Sequence, residues 1–562
     1  MRPGIADWLR FAAFALVAGV VYAGTLEAGY TVDYLGWYER VRAGGFAGAW
    51  SAYDYAARLE GYALLMWATV RLAAWSPLLV YGLAVGLYAS AAASLAQFAE
   101  TLFRAERVPR SGLYATVAGL LWLLSPVNTE LIVVRVAPHY SVSALAWCAA
   151  LLAAWGYLRT GARRYLLTAV GVHALSSFFL EFAYVLPLAL VGLTAYARLR
   201  FGHGVGTGRP WGLLGASILV VAGHLLLTRV TLGAWIGHYG AEVATAQPIS
   251  ETLAGPWRYL GRHLLLSRSW SWELRSGFNA WLASTPSLLL TYGAAAVAAF
   301  AALLTWRRGR DEAHPAWQLA VWLWLAGCGA AAVSQLYYFD LLSVHTDRMG
   351  ALTGLFAAGG FAFACALLPR LLGLTLAGLA LGGSVLLLRE PLQLWRLNAT
   401  LAERGVASLA REAAGHTGPV YLIGYPSTAG GSWLFLDLDP HRAGLGTHAD
   451  ILHPEVAPRG PVYEIAQYNQ QALTDSVSAS WRDGHLHVSL HAPGAWWQRD
   501  DRGLTPYRNT VAGYRLEMHD WHFEVHFDRP PPRDAVFLYQ RGPALRRLPY
   551  PAPGSPQPKD SQ

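Results

Sequence analysis

The sequence predicts a polytopic α-helical membrane protein of about eleven spans, each ~20 apolar residues long, followed by a C-terminal extracytoplasmic α+β domain. Three observations carry this. Of 562 residues, 54% are hydrophobic and only 14% charged, where a soluble domain carries ~25% charged residues. Long, nearly charge-free runs recur up to residue 388. Beyond it the charge density nearly doubles: residues 1–388 hold 26 basic and 17 acidic side chains, and residues 389–562 hold 17 and 18. An ordinary soluble enzyme is excluded. The net charge of +8 resides in the apolar part, so no nucleic-acid partner is expected. The expected domains are 1–390 (membrane), 391–550 (soluble, with a β-sheet) and 551–562, a Pro-rich disordered tail.

The expected spans lie near 8–25, 79–99, 112–125, 139–157, 165–180, 183–197, 211–230, 284–306, 316–336, 349–368 and 371–388. With the N-terminus inside, one set of loops collects fifteen arginines, from Arg2 to Arg370, against five acidic residues; the other side carries eleven basic and twelve acidic. This arginine bias orients the chain with the N-terminus cytoplasmic and the C-terminal domain outside. The first span reads as an uncleaved anchor. The arginine-rich composition fits a bacterial inner membrane, with the soluble domain in the periplasm or its equivalent. Cys148, Cys328 and Cys365 all fall in spans, so the exported domain has no disulfide framework.

Two outer loops are long, 26–78 and 231–283. In the first, Tyr62, Leu65, Trp67, Val70 and Leu72 recur at helical spacing, which predicts an amphipathic interfacial helix ended by Pro77; Asp33 lies just beyond the first span. The second interleaves Trp257, Trp270, Trp272 and Trp281 with Arg258, Arg262, Arg268 and Arg275. That pattern suits headgroup anchoring or the lining for a lipid phosphate. Further ionisable groups stand at span ends on the same side: Glu130, Arg135 and His139 after the third span, Glu181 between the fifth and sixth, and Asp340, His345, Asp347 and Arg348 entering the tenth. Charged groups at membrane depth are costly and point to a functional cavity. His173 and His224, mid-span, are expected to satisfy helix contacts.

These residues resemble the C-type (GT-C) integral membrane glycosyltransferases, closest in pattern to transmembrane O-mannosyltransferases with tetratricopeptide repeats and their bacterial relatives, without the repeats. The resemblance covers about residues 1–390. Asp33 stands where those enzymes carry an acidic residue in the first outer loop. Ser125-Pro126-Val127-Asn128-Thr129-Glu130 resembles their His-Pro-x-x-x-Glu segment, with Ser for His. Leu180-Glu181 through Pro187 resembles their Lys-Glu-x5-Pro segment, with Leu for Lys, and Asp347-Arg348 resembles their late acidic-Arg pair. The resemblance implies sugar transfer from a polyprenyl-phosphate-linked donor to an acceptor on the extracytoplasmic face. It implies Asp33 as general base, Arg348 and Arg135 as donor-phosphate ligands, and Glu130, His139, Glu181 and Asp347 as orienting groups. The expected partners are the lipid-linked donor, membrane lipids and an acceptor protein, glycan or lipid; no cofactor or metal is expected. The alternatives are a non-catalytic GT-C-like scaffold or assembly subunit, and a lipid or sugar flippase. A flippase is expected to show paired half-repeats, and none is legible.

In the C-terminal part, 393–415 reads as an amphipathic helix. Residues 419–426, 513–527 and 535–540 read as strands, and 477–490 as a hairpin turning at Asp483-Gly484. His485 and His487 share one strand face, but no carboxylate or cysteine framework for a metal is recognisable along the chain.

Overall fold

The computed structural model describes residues 4–26, 28, 32–51, 59–202, 205–206, 208–233, 235, 249–294, 315–334, 344–426, 428–429, 432–434, 444–491, 496–498, 508–519 and 521–550. Two compact units emerge: Met1–Leu26, Arg40–Leu341 and Thr346–Pro391 form the first, and Glu27–Glu39, Leu342–His345 and Leu392–Gln562 the second.

The first unit is helical. Among the described residues, six helices are long and apolar enough to cross a membrane: Pro77–Ala105, Pro138–Thr160, Glu181–Phe201, Gly208–Leu232, Asp347–Leu367 and Arg370–Ala413. The pair Ser111–Leu123 and Pro126–Val133, bent by 53°, makes a seventh if it is one span. Eleven spans are therefore not reached on length among the described residues. Ile5–Val21, Arg163–Ser177 and the apolar stretch Trp317–Ala332 fall on expected spans but are shorter. The expected span 284–306 lies partly outside the described residues, and the arginine cluster 307–310 lies wholly outside them. Leu16, Val20, Leu167, Leu175, Ile218, Leu219, Leu226, Val230, Leu371, Leu379 and Leu386 are exposed. So extensive an apolar surface is what lipid covers, whereas a soluble monomer rarely shows it. These long apolar helices mark a membrane protein.

Both expected outer loops are partly helical. A helix does form over the predicted stretch, Glu60–Trp75. Pro77 does more than end it: Ser76 Oγ accepts the Leu78 N–H at 3.2 Å, and Pro77 opens the next helix at a position where its missing N–H costs nothing. Ile249–Leu264 and Trp272–Leu282 fill the second loop, the latter capped by Ser271 Oγ on Leu274 N–H. At one end of the bundle polar contacts hold the turns: Arg10 donates to Glu100 at 2.7 Å, and Arg200 donates through Nε and Nη2 to the Ala105 carbonyl. His173 and His224 do satisfy helix contacts. His173 Nε2 lies 2.8 Å from the Ala183 carbonyl and its Nδ1 2.9 Å from Ser217 Oγ, while His224 Nδ1 lies 2.8 Å from Tyr184 OH.

The last span and the helix expected at 393–415 are one continuous helix, Arg370–Ala413, with Pro391 inside. Strong helix formers on both sides (Leu386, Leu387, Leu388, Arg389, Glu390, Leu392) carry it through the proline.

The second unit is sheet-rich. Its strands are β1 Val420–Ile423, β2 Thr428–Ala429, β3 Ser432–Trp433, β4 Val462–Ile465, β5 Gln467–Gln470, β6 Ser476–Arg482, β7 His485–His491, β8 Trp496–Gln498, β9 Arg508–Asn509, β10 Tyr514–Met518, β11 His522–Phe527, β12 Val536–Arg541 and β13 Ala544–Leu548. Nine form a mixed sheet in the order β4-β1-β12-β6-β7-β11-β10-β9, with β13 paired to β12; the order β3-β2-β5-β8 forms a smaller sheet. β1 pairs in parallel with both β4 and β12. Leu397, Leu401, Val406 and Leu409 of the long helix pack with Val420, Leu422, Val462 and Leu538 in one core. Tyr421, Ile423, Leu486, Val488, Phe523 and Val525 belong to a second. The predicted hairpin is β6–β7, and Asp483 (φ 47°) and Gly484 (φ 82°) both take left-handed backbone, as a type I′ turn requires. The stretch 513–527 is not one strand but a second hairpin, β10–β11, closed where His519 N–H meets the His522 carbonyl at 2.8 Å.

Candidate functional site

The site forms where helices of the first unit break. After Leu123 the chain turns at Ser125-Pro126, because proline cannot donate the next helical hydrogen bond. Ser125 Oγ accepts the Val127 N–H, and a short 3-10 turn leads into a single helical turn, Glu130–Val133. The carbonyls freed by the break are re-satisfied by side chains, as buried backbone demands. Tyr88 OH donates to the carbonyls of Trp122 and Leu123, Tyr22 OH to Leu123, and Asn128 Nδ2 to Trp122. Trp122 Nε1 donates at 3.0 Å to the Ala351 carbonyl, tying this break to the entry of the helix Ala351–Leu367.

That entry is the 3-10 segment Val344–Gly350. Two adjacent residues there each meet an opposite charge from a different element. Arg348 donates its backbone N–H to Glu130 Oε2 at 2.7 Å, and its Nη1 lies 3.4 Å from Glu130 Oε1. Asp347 accepts from Arg262 Nη1 at 2.6 Å. The side chains of Glu130 and Asp347 are 0% exposed, that of Arg262 2% and that of Arg348 13%. In so dry a setting each pair attracts far more strongly than at a surface, and each partner is costly to leave alone.

Aromatic rings bind the two pairs into one neighbourhood. Arg348 sits 5.9 Å over the Tyr140 ring, and Tyr140 lies within electrostatic reach of Glu130, Glu181 and Arg348. Tyr259, on the helix Ile249–Leu264, feels Arg262, Asp347, Tyr140 and Glu130 together; burial pushes its phenol pKa well up. The His139 ring lies 4.2 Å from Tyr62 and 4.4 Å from Tyr140. Glu181 is buried at the break before the helix Leu186–Phe201, where Leu180 is extended. The half-buried His263 ring packs against Gly350 and Gly354, and desolvation, with the Arg262 charge, lowers its pKa to about 3.

Of the residues singled out from sequence, Glu130, Asp347 and Arg348 meet here, with Glu181 and His139 reaching the same group through Tyr140. Arg135 has a different setting. Fully buried, it donates to the carbonyls of Ile132 (3.1 Å), Thr25 (3.0 Å) and Leu26 (2.6 Å) and lies 6.0 Å from the Tyr81 ring. These contacts close the 3-10 turn Ala23–Thr25 that follows the first helix. Asp33 falls in the first turn of Val32–Ser51, in the segment grouped with the second unit, and its side chain is outside the described ones. Asp340 and the side chains of His345, Arg268 and Trp272 are likewise outside them.

Tyr259, Tyr140 and His263 are site residues that sequence reasoning did not single out, and Arg262 stood there only as one arginine of four. A signal existed in the second outer loop: Arg258 and Arg262 stand four apart on one helix, next to Tyr259 and His263, again four apart. Arg258 is engaged separately, with Glu251 and the Asn279 carbonyl. No family model matches the chain, and no curated protein matches it in sequence.

Proposed function

We propose that this protein is a membrane glycosyltransferase of GT-C type that moves a sugar from a polyprenyl-phosphate donor to an acceptor on the extracytoplasmic face of a bacterial inner membrane. The reading takes eleven spans, a cytoplasmic N-terminus and an external C-terminal domain. The observation that carries it is the paired Glu130–Arg348 and Asp347–Arg262 contact, buried where several helices break at one end of the bundle. Ionised groups at membrane depth are retained at a cost that function repays, and a lipid-borne phosphate arrives at this depth.

The chemistry needs few groups. The acceptor hydroxyl oxygen attacks the anomeric carbon, the bond from that carbon to the phosphate oxygen breaks, and polyprenyl phosphate leaves with the electron pair. Asp33, assigned from the sequence alone, takes the acceptor's proton. Arg348 and Arg262 stabilise the charge growing on the departing phosphate, while Glu130 and Asp347 hold them in place. His139 and Glu181 border the same cluster.

A second reading, a non-catalytic scaffold or assembly subunit of the same architecture, is favoured by one specific observation. Both arginines already face carboxylates, so a phosphate must compete for them. Purified protein in detergent, given a polyprenyl-phosphate-linked sugar and a hydroxyl acceptor, separates the two. Transfer that disappears in Asp33→Asn supports the enzyme. Neither transfer nor binding of polyprenyl phosphate, across several sugars, leaves the scaffold reading standing.

A further inference from the structure

The linear spacing of the C-terminal histidines displays no metal framework; strand pairing builds one. On the mixed sheet, β10 sets Glu517 directly opposite Glu524 of β11, and β7 sets His487 opposite Glu524 on the other side. His526, two residues beyond Glu524, points to the same face. Leu486, Val488, Leu516, Phe523 and Val525 alternate with these residues and enter the core, so the polar face is the solvent half of the sheet.

We propose that Glu517, Glu524 and His526 bind one first-row divalent transition-metal ion, Zn²⁺ or Ni²⁺ in class, with His487 positioning Glu524. This does not depend on the transferase reading. His526 Nε2 lies 3.6 Å from Glu517 Oε2 and 3.5 Å from Glu524 Oε2. Atoms bound at about 2.0–2.2 Å to one tetrahedral ion are about 3.3–3.6 Å apart. The nitrogen therefore already stands at ligand spacing from both carboxylates, and one donor atom from each of the three residues falls within 4.8 Å of the others. Glu517, with a side chain 62% exposed, is free to rotate and close the remaining gap.

Two physical points favour an ion over a bare surface cluster. Like charges directly opposite on neighbouring strands repel, and a cation between Glu517 and Glu524 turns that repulsion into coordination. His526 Nε2 is shielded from solvent and makes no hydrogen bond among the described residues. Imidazole beside two carboxylates suits zinc-like ions better than Ca²⁺ or Mg²⁺, which prefer all-oxygen shells. Glu524 Oε1, the oxygen not facing His526, lies 3.2 Å from His487 Nδ1. Ligating carboxylates are in turn held by outer hydrogen-bond partners, and His487 stands in that position. Three protein ligands leave a position for water or an incoming group.

The test is isothermal titration of the full chain in detergent, without an affinity histidine tag, using Zn²⁺ and Ni²⁺ separately. One ion per chain is expected. Binding disappears in His526→Ala, weakens about tenfold or more in Glu517→Gln, and weakens about 10–100-fold in His487→Ala. His519→Ala is the control: His519 stacks on His522 at 4.4 Å, a separate pair, and its loss leaves binding unchanged. The proposal is overturned if the wild-type chain shows no saturable binding, if binding survives both His526→Ala and Glu517→Gln, or if it vanishes in His519→Ala. Glu517→Gln changes an exposed side chain, so its result does not depend on whether His526→Ala folds.

Discussion

Glu130 holds Arg348 twice, through the backbone N–H at 2.7 Å and the guanidinium Nη1 at 3.4 Å, although 218 residues separate them. One carboxylate thus fixes both the start of a helix and the charge of its entry residue. Glu130→Gln keeps an acceptor for the N–H but removes the charge that balances Arg348. Breaking a buried pair on one side costs about 3–5 kcal/mol, while replacing both partners by apolar groups is often close to neutral. The expected order of stability in detergent unfolding is therefore wild type, then Glu130→Leu with Arg348→Met, then Glu130→Gln. A double variant less stable than Glu130→Gln alone would exclude a mutually dependent pair.

Gly354 and Gly350 lie against the His263 ring, where any added Cβ would collide with it. Overpacking of this kind costs about 1–3 kcal/mol. Gly354→Ala is expected to lower the thermal midpoint, and His263→Ala in the same chain to recover part of the loss. Equal losses in the presence and absence of the imidazole would place the strain elsewhere.

His263 and His448 are both held neutral. Burial, with Arg262, lowers His263 to about 3, and burial, with His453, lowers His448 to about 4, from the ordinary 6.5. In the unfolded chain both take up protons near that ordinary value, so between it and their folded values the unfolded state binds more protons. Stability is then fully present above about 6.5 and declines as pH falls toward 4 and then 3. Thermal midpoints measured from about pH 7 to about pH 4 should fall. The slope should be shallower in the double variant His263→Gln, His448→Gln; an unchanged slope would assign the acid sensitivity to other groups.

Gly484 carries φ 82° at the β6–β7 turn. A side chain in left-handed backbone costs about 1–2 kcal/mol, so Gly484→Ala should destabilise the second unit by that amount. Asp483→Asn, which keeps a residue tolerant of the same region, should be nearly silent in thermal unfolding.

The legible parts of this molecule were those whose physics is local. Hydropathy located the six long apolar helices, and Asp483-Gly484 announced its hairpin. Span count was less legible, because Ile5–Val21 and Arg163–Ser177 are short and only their neighbours decide what covers them. The partner of Asp347 was hidden because Arg262 lies 85 residues away on an amphipathic helix whose arginines all look alike in sequence. The contacts of Arg135 were hidden in the same way, because the Thr25 and Leu26 carbonyls it meets lie 110 and 109 residues earlier in the chain. In the second unit, β10 and β11 lacked a glycine or proline between them, so the turn went unread. The pairing that sets Glu517 and Glu524 beside His526 was hidden with it.

The Arg135 contacts also bear on how the chain is made. The carbonyls of Thr25 and Leu26 receive their donor from a residue 109–110 positions later. At roughly 5–20 residues per second, the ribosome delivers that guanidinium roughly 5–20 s after the first helix has emerged. Until then the first helix is an insertion intermediate with an open end. Water, lipid headgroups or the insertion machinery must occupy those two carbonyls in the meantime, and synthesis of the chain through the short helix Glu130–Val133 is the event that releases it.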